Sequence, residues 1–129
     1  MNGRRYLLDT NAIIRLLQGD TGILKVLGMA EWVGISIISE LEFLSFPNLL
    51  EQDKALFRQF LERVDVIGLV VQDREFIDSI INLRQRYRLK LPDAIIAASA
   101  LINRASLITL DRRFLGVQDL EVLDFKTTE

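Results

Sequence analysis

The sequence predicts an α/β fold: a three-layer α/β/α sandwich with a central parallel sheet of four to five strands. Short apolar segments rich in β-branched residues alternate along the chain with longer segments whose apolar residues recur at helical spacing. Strands that are separated by helices pair in parallel, with the helices covering the faces of the sheet. With 129 residues, half of them apolar, and no linker-like segment, we expect one domain over residues 1–129.

The first part of the chain predicts two strands and three short helices. Residues 5–8 form an apolar strand, and the apolar spacing of residues 13–17 then predicts a helix. Two glycines interrupt that helix, and residues 23–27 predict a second one that stops near Gly28. Residues 32–38 are rich in β-branched side chains and predict the next strand, with Ser39 as the N-cap of the third helix.

The remaining chain predicts three more helices and three more strands. Residues 52–63 carry apolar side chains on one face, as an amphipathic helix does, and a third strand lies within residues 64–71. Residues 73–87 predict a longer helix. The helix after it begins at Pro92, which suits a first turn, and its small side chains predict close, buried packing on the sheet. Two more strands, the second of them at an edge, are predicted at residues 106–110 and 120–123.

Four acidic residues lie at predicted strand ends or helix starts, namely Asp9, Glu42, Asp93 and Asp111. In an open parallel sheet these positions meet at the carboxyl edge, where ligands bind. Each residue taken alone also has a structural explanation. Asp9 fits a helix N-cap and Asp111 fits a turn. Glu42 fits a capping box with Ser39, and Asp93 fits the first turn of a helix.

Taken together, the four carboxylates predict a bound cation. Side by side they would repel each other by about 1–4 kcal/mol per close pair. The chain has no Cys and no His, which excludes thiolate nucleophiles, imidazole bases, Cys/His zinc sites and disulfides. Ligands that are all oxygen select hard ions, so we expect Mg²⁺ or Mn²⁺, which activate water and stabilise the leaving oxygen of a phosphodiester.

Basic side chains form two local clusters, although the net charge of −2 argues against a globally basic nucleic-acid binder. The first cluster follows the apolar face of the helix predicted at residues 73–87. It is either a solvated helix surface or a set of phosphate contacts. The second cluster lies directly after Asp111. The first cluster consists of Arg84, Arg86, Arg88 and Lys90. The second consists of Arg112 and Arg113.

Nothing in the sequence predicts a membrane segment or a secretory leader. The longest apolar run, residues 94–102 with one serine, is under half of the roughly 20 residues that a membrane-spanning helix needs. The lack of cysteine is compatible with a reducing compartment. We therefore expect a soluble cytoplasmic protein with no membrane partner.

Four short motifs, in order and spacing, carry a resemblance to a known family. They are LLDTN at residues 7–11, ISIISELE at 35–42, LPDAIIAA at 91–98 and ITLD at 108–111. The chain resembles PIN-domain ribonucleases, specifically the VapC-like toxins of type II toxin–antitoxin pairs, over almost its whole length. The fold that this resemblance implies is the PIN-like α/β/α sandwich.

The resemblance implies roles for individual residues. Asp9 and Asp93 would be the principal metal ligands, Glu42 a ligand or water-orienting base, and Asp111 a completing ligand. Glu42 is preferred over Glu40 because the family's glutamate follows a Ser or Thr by three residues. Many relatives carry a further acid after the fourth position, where this chain has two arginines. Three residues resemble the family's supporting polar positions, namely Thr10, Asn11 and Thr109.

The implied reaction is Mg²⁺- or Mn²⁺-dependent hydrolysis of single-stranded or loop RNA, with the two basic clusters contacting phosphates. The resemblance also implies a homodimer and an antitoxin that covers the acidic site. An apolar groove for that antitoxin is expected between the early helices. Some of its candidate residues are expected to be ordinary core residues instead; the candidates are Leu16, Leu17, Leu24, Leu27, Leu49, Leu50, Phe57 and Phe60.

Three other functions can be weighed from the residues alone. A PIN-like module that binds RNA or protein without cutting would have the same fold. A receiver-type signalling domain has a similar length and layering, but it would place its phosphoacceptor after the third strand and an acidic pair where this chain has only Asp9. A haloacid-dehalogenase-type phosphatase would need a second aspartate at Asn11.

Overall fold

The computed structural model describes residues 3–124, and its centre is a parallel sheet of five strands. The strand order across the sheet is β3-β2-β1-β4-β5, so β1 lies in the middle. All four strand pairs are parallel. The strands are β1 (Arg5–Leu8), β2 (Trp32–Ser36), β3 (Asp65–Ile67), β4 (Ser106–Ile108) and β5 (Val122–Leu123).

In the described part of the chain, six α-helices connect the strands, and a short 3₁₀ helix, Arg112–Phe114, follows β4. The predicted α/β/α sandwich with a central parallel sheet is confirmed. The helices are α1 (Thr10–Leu17), α2 (Thr21–Gly28), α3 (Ile37–Leu44), α4 (Glu51–Leu61), α5 (Arg74–Tyr87) and α6 (Leu91–Ile102). Within residues 3–124, none of them is long and apolar enough to cross a membrane.

Side chains along the central strands point alternately to the two faces of the sheet, which divides the core into two layers. Leu7 of β1 belongs to the core cluster formed with α5 and α6, whereas Leu8 belongs to the cluster formed with α1 to α4. Leu107 and Ile108 of β4 divide in the same way. Successive side chains of a strand point to opposite faces, so each strand contributes to both layers.

Helix α6 is the most deeply buried helix of the structure. Every residue from Ala94 to Ala100 is buried, and α6 packs against α5, β1, β2 and β4. Small alanine side chains allow this close approach, as the sequence predicted. The burial fixes the N-terminal turn of α6, which carries Asp93, at the carboxyl edge of the sheet.

The structure corrects the predicted boundary between β2 and α3. Strand β2 ends at Ser36, whose partner across the sheet is Ile67, the last residue of β3. Ser36 is the N-cap of α3, since its hydroxyl accepts the Ile38 N–H at 3.1 Å. Ser39 lies inside α3 and is buried. The predicted capping box between Ser39 and Glu42 is therefore wrong, because parallel pairing ends earlier than the β-branched residues do.

Candidate metal centre

The four predicted acidic residues line one cavity of about 470 Å³ at the carboxyl edge of the sheet. Asp9 directly follows β1, and Asp111 lies three residues beyond β4. Glu42 lies in α3 and Asp93 in the first turn of α6. Residues separated by up to about a hundred positions in the sequence thus meet because two strands and two helix segments reach the same edge.

Asp9 is the most constrained of the four carboxylates. Its side chain is only 6% exposed, and it caps α1 by accepting the Ala12 N–H at 2.8 Å. The Thr109 hydroxyl donates to its other oxygen. Burial raises the pKa of Asp9, and the two hydrogen bonds only partly oppose that rise. The capping role and the predicted ligand role therefore belong to the same side chain.

Thr109 connects two of the acidic residues. Its hydroxyl donates to Asp9 and accepts the Asp111 backbone N–H at 2.9 Å. The side chain is 1% exposed, so it does not exchange these partners for water. Thr109 therefore fixes the position of Asp111 relative to Asp9.

Thr10 orients Glu42. The Thr10 hydroxyl donates to Glu42 Oε1 at 2.6 Å and lies 3.1 Å from Ser39 Oγ. Glu42 lines the cavity, as does Asn11, whereas Glu40 does not. The geometry therefore distinguishes two glutamates that lie two positions apart on one helix.

Arg113 joins the remaining two acids. Its Nη1 lies 3.2 Å from Asp93 Oδ2, and its Nε lies 3.0 Å from each carboxylate oxygen of Asp111. Hydrogen bonding to Arg113 lowers the pKa of Asp111. The pKa of Asp93 is raised, because burial and the charges of Asp111 and Glu42 outweigh the attraction of Arg113.

The donor chemistry of this cavity fits a hard divalent cation. Four carboxylates line it, and no imidazole or thiolate competes with their oxygens. Burial raises the pKa of both Asp9 and Asp93, which a nearby cation would counteract. Over residues 3–124, however, no three acidic side chains are grouped as ligands of one ion. Asp93 and Asp111 instead share a guanidinium.

The structure separates the basic residues that the sequence grouped together. Arg84 donates to the Leu89 carbonyl, and Arg86 donates to Gln118. Arg88 and Lys90 instead line a second cavity, of about 400 Å³, that shares Asp93 and Arg113 with the first. Arg112 is exposed and lines neither cavity.

The backbone between α5 and α6 explains this separation. Arg88 ends α5 in the left-handed conformation with φ at 56°, which turns the chain out of the helix. The conformation is uncommon for a residue other than glycine, asparagine or aspartate, so the sequence contained no signal for it.

Two aromatic residues of the acidic cavity were not predicted. Phe46 and Phe114 line it together with Ile96. Phe114 is buried in the 3₁₀ helix, whereas Phe46 is partly exposed. Their apolar character resembles that of core residues, so only their tertiary position reveals that they border the cavity.

Comparison with known proteins shows which family has this fold. The chain matches the PIN domain family over residues 6–120. No curated protein sequence matches it. Among solved structures, a chain of a toxin–antitoxin complex from Klebsiella pneumoniae is 30% identical with a TM-score of 0.76, and the match covers 93% of this chain and 97% of that one.

Two VapBC complexes have the same fold. A chain of VapBC-1 from nontypeable Haemophilus influenzae is 26% identical with a TM-score of 0.72, covering 94% of this chain and 98% of that one. A chain of the DNA-bound VapBC2 complex from Rickettsia felis is 22% identical with a TM-score of 0.76, covering 92% and 96%. The resemblance that the four motifs predicted is confirmed, and the chain belongs to the PIN domain family.

Proposed function

We propose that this protein is a metal-dependent endoribonuclease that acts as the toxin of a toxin–antitoxin pair. The observation that carries the proposal is the convergence of Asp9, Glu42, Asp93 and Asp111 on one cavity. Two of these side chains are oriented by Thr109 and Thr10. Carboxylates that are held in fixed directions match what a hard-metal site requires of its ligands and their supporting residues.

Asp9 and Asp93 would hold the Mg²⁺ or Mn²⁺ ion, and Asp111 would complete its ligands. When bound, the ion supplies an activated water and charge stabilisation for the phosphoryl oxygens. Glu42 Oε1 accepts the Thr10 hydroxyl at 2.6 Å. In this proposal Glu42 would be either a further ligand or the base that orients the attacking water and accepts its proton. Attack of this water on phosphorus would break the bond to the 3′ oxygen, which would take up a proton from solvent. The products would carry a 3′-hydroxyl and a 5′-phosphate.

The experiment that tests this proposal is RNA cleavage under controlled metal conditions. Purified protein, free of any copurified partner, is incubated with total RNA and with a tRNA pool in the presence of Mg²⁺, Mn²⁺ or EDTA. We expect discrete fragments with either metal and none with EDTA. A parallel preparation of Asp93→Asn protein identifies contaminating nuclease. Measurable Mn²⁺ binding without any cleavage would favour the noncatalytic binding module instead.

The second cavity suggests the path of the RNA backbone. It is lined by Arg88, Lys90 and Arg113 and opens beside Asp93. A row of cationic side chains next to the metal centre suits the phosphates that flank the scissile bond. Arg84 and Arg86 form hydrogen bonds within the protein. For these two residues we therefore favour the helix-surface interpretation over phosphate contacts.

The double variant Arg88→Gln/Lys90→Gln should bind single-stranded RNA several-fold more weakly, with a shallower salt dependence. Each lost phosphate contact removes roughly one unit from the slope of log affinity against log salt. The measurement is fluorescence anisotropy with labelled RNA in EDTA, where no cleavage occurs. The control is Arg84→Gln/Arg86→Gln, which removes the same charge. Equal losses in both variants would show that only net charge matters.

The antitoxin is the proposed protein partner, because the matched structures are toxin–antitoxin complexes. Two apolar depressions beside α1, α2 and α4 suit a bound helix or extended segment. They contain five of the eight expected groove residues, together with Leu56. Those five are Leu16, Leu17, Leu24, Leu49 and Phe60. A Leu56→Glu protein that is still inhibited by its antitoxin would contradict this location.

Three expected groove residues are placed elsewhere. Phe57 is fully buried and belongs to the core, so for this residue the core alternative holds and not the groove. Leu27 packs against the core, and Leu50 is exposed; neither lines the two depressions. The helical spacing of apolar residues could not distinguish the inward face of α4 from its lateral face.

We also propose that the protein is a homodimer in the cytoplasm, where its RNA substrate is found. The family resemblance supports the homodimer, and the lack of cysteine is compatible with the reducing cytoplasm. Light scattering of the purified protein checks the first, and a monomeric mass at micromolar concentration would contradict it. Cell fractionation checks the second, and recovery outside the cytoplasmic fraction would contradict it.

A further inference from the structure

Arg113 occupies a special position in the acidic cavity. Of the described residues that line this cavity, it is the only basic one. Its guanidinium contacts Asp93 from α6 and Asp111 after β4 at the same time. The two carboxylates are mostly shielded, at 17% and 25% exposure, whereas the Arg113 side chain is 54% exposed. The arginine therefore reaches from solvent onto two acids of the proposed metal centre.

We propose that Arg113 is an internal counter-cation that competes with the divalent metal ion for Asp93 and Asp111. This inference rests on the metal centre proposed above. A guanidinium stays protonated at all physiological pH values and pairs with carboxylates through several parallel hydrogen bonds. While Arg113 holds Asp93 Oδ2 and both oxygens of Asp111, those oxygens are committed to it. The two cations repel each other and use the same oxygens, so Arg113 lowers the metal affinity of the site as long as its side chain stays there.

The surroundings of Arg113 provide a place for the displaced side chain. Arg113 also lines the cavity that contains Arg88 and Lys90, where the proposed function places RNA phosphates. A phosphate there would offer the guanidinium a new anionic partner. As the metal binds, Arg113 would leave Asp93 and Asp111 and pair with a phosphate of the substrate. The metal affinity of the free enzyme would therefore be weaker than that of the enzyme with RNA bound.

A purely structural role for the Arg113 side chain is not required by the local fold. Asp111 Oδ1 caps the 3₁₀ helix by accepting the Arg113 backbone N–H at 2.9 Å, a bond that does not involve the guanidinium. The 3₁₀ helix is also anchored by the buried Phe114. Arg113→Gln should therefore fold, keep the cap and lose only the positive charge between the two acids.

The test is Mn²⁺ affinity, measured by calorimetry and by electron paramagnetic resonance of free Mn²⁺, without RNA. We expect Arg113→Gln to bind Mn²⁺ about three- to tenfold more tightly than the native protein, which corresponds to the loss of two partly exposed ion pairs. Arg112→Gln removes the same charge one residue away and should change the affinity by less than about twofold. Asp93→Asn should bind poorly, which checks that the measured ion occupies this centre.

Thermal unfolding provides a second readout. In EDTA, Arg113→Gln should melt at a lower temperature than the native protein, because Asp93 and Asp111 then repel each other without a counter-ion. Saturating Mn²⁺ should raise its melting temperature by more than it raises that of the native protein. Unchanged or weaker Mn²⁺ affinity in Arg113→Gln would overturn the inference while leaving the metal centre intact. Absent Mn²⁺ binding in both proteins would overturn the inference and the metal centre together.

Discussion

Asp9→Asn should lower the rate of RNA cleavage on the order of a hundredfold or more, with little effect on folding. Asp9 is the most buried acid of the centre, and it is held by the Ala12 N–H and the Thr109 hydroxyl. Asparagine keeps an oxygen for the helix cap but loses the charge that a metal ion needs. The measurement is the initial rate of cleavage with saturating Mg²⁺.

The pKa of Asp9 determines the expected effect on stability. Burial raises this pKa above its value in the unfolded chain, so keeping Asp9 ionised at neutral pH costs folding free energy. That cost decreases as the pH falls through the folded-state pKa, and it is absent once both states are protonated. In EDTA at neutral pH, Asp9→Asn should therefore melt at the same temperature as the native protein or higher.

Asp73→Asn is the matched control. Asp73 caps α5 by accepting the Phe76 N–H at 3.1 Å, just as Asp9 caps α1, but it lies outside the acidic cavity. Asparagine and aspartate are similarly good N-caps, so this variant should retain activity. If Asp9→Asn cleaved RNA as fast as Asp73→Asn, Asp9 would be only a helix cap and the catalytic assignment would be wrong.

Phe57→Ala should destabilise the protein by about 3–5 kcal/mol, which is typical of removing a fully buried phenylalanine. Phe57 is 0% exposed and stacks on Phe43 with ring centroids 4.3 Å apart and an interplanar angle of 14°. This pair joins α4 to α3, the helix that carries Glu42. The loss should appear as a lower midpoint of urea unfolding with little change in slope.

Leu56→Ala is the comparison for Phe57→Ala. Leu56 precedes Phe57 in α4 but is 45% exposed, so its truncation should cost less than about 1 kcal/mol. A small loss of stability in Phe57→Ala, together with weaker antitoxin binding, would restore the original interpretation of Phe57 as a groove residue.

The sequence determined the features that depend on local spacing. Within residues 3–124, the apolar periodicity located the strands and the α-helices to within a few residues, because burial on a strand repeats every two residues and on a helix every 3.6. The 3₁₀ helix at Arg112–Phe114 was not predicted. It also placed Asp9 after β1 and Asp93 in the first turn of α6. Parallel strands bring such positions to one edge, and the convergence of the acids was therefore predictable.

The tertiary structure decided what depends on contacts between distant residues. Strand pairing, not residue type, made Ser36 the cap of α3 in place of Ser39. The hydrogen bond from the Thr10 hydroxyl fixes the orientation of the Glu42 side chain.

The positions of the arginines followed the same principle. The left-handed backbone conformation of Arg88 turns the chain out of α5 and separates Arg88 from Arg84 and Arg86. Arg113 came between two acids that are adjacent only in the folded chain. The sequence alone determined the order of elements and the positions of the acidic residues at strand ends and helix starts, because these depend on neighbouring residues. Packing between residues far apart in the chain decided which side chains meet, since a contact between Asp9 and Thr109 spans 100 positions.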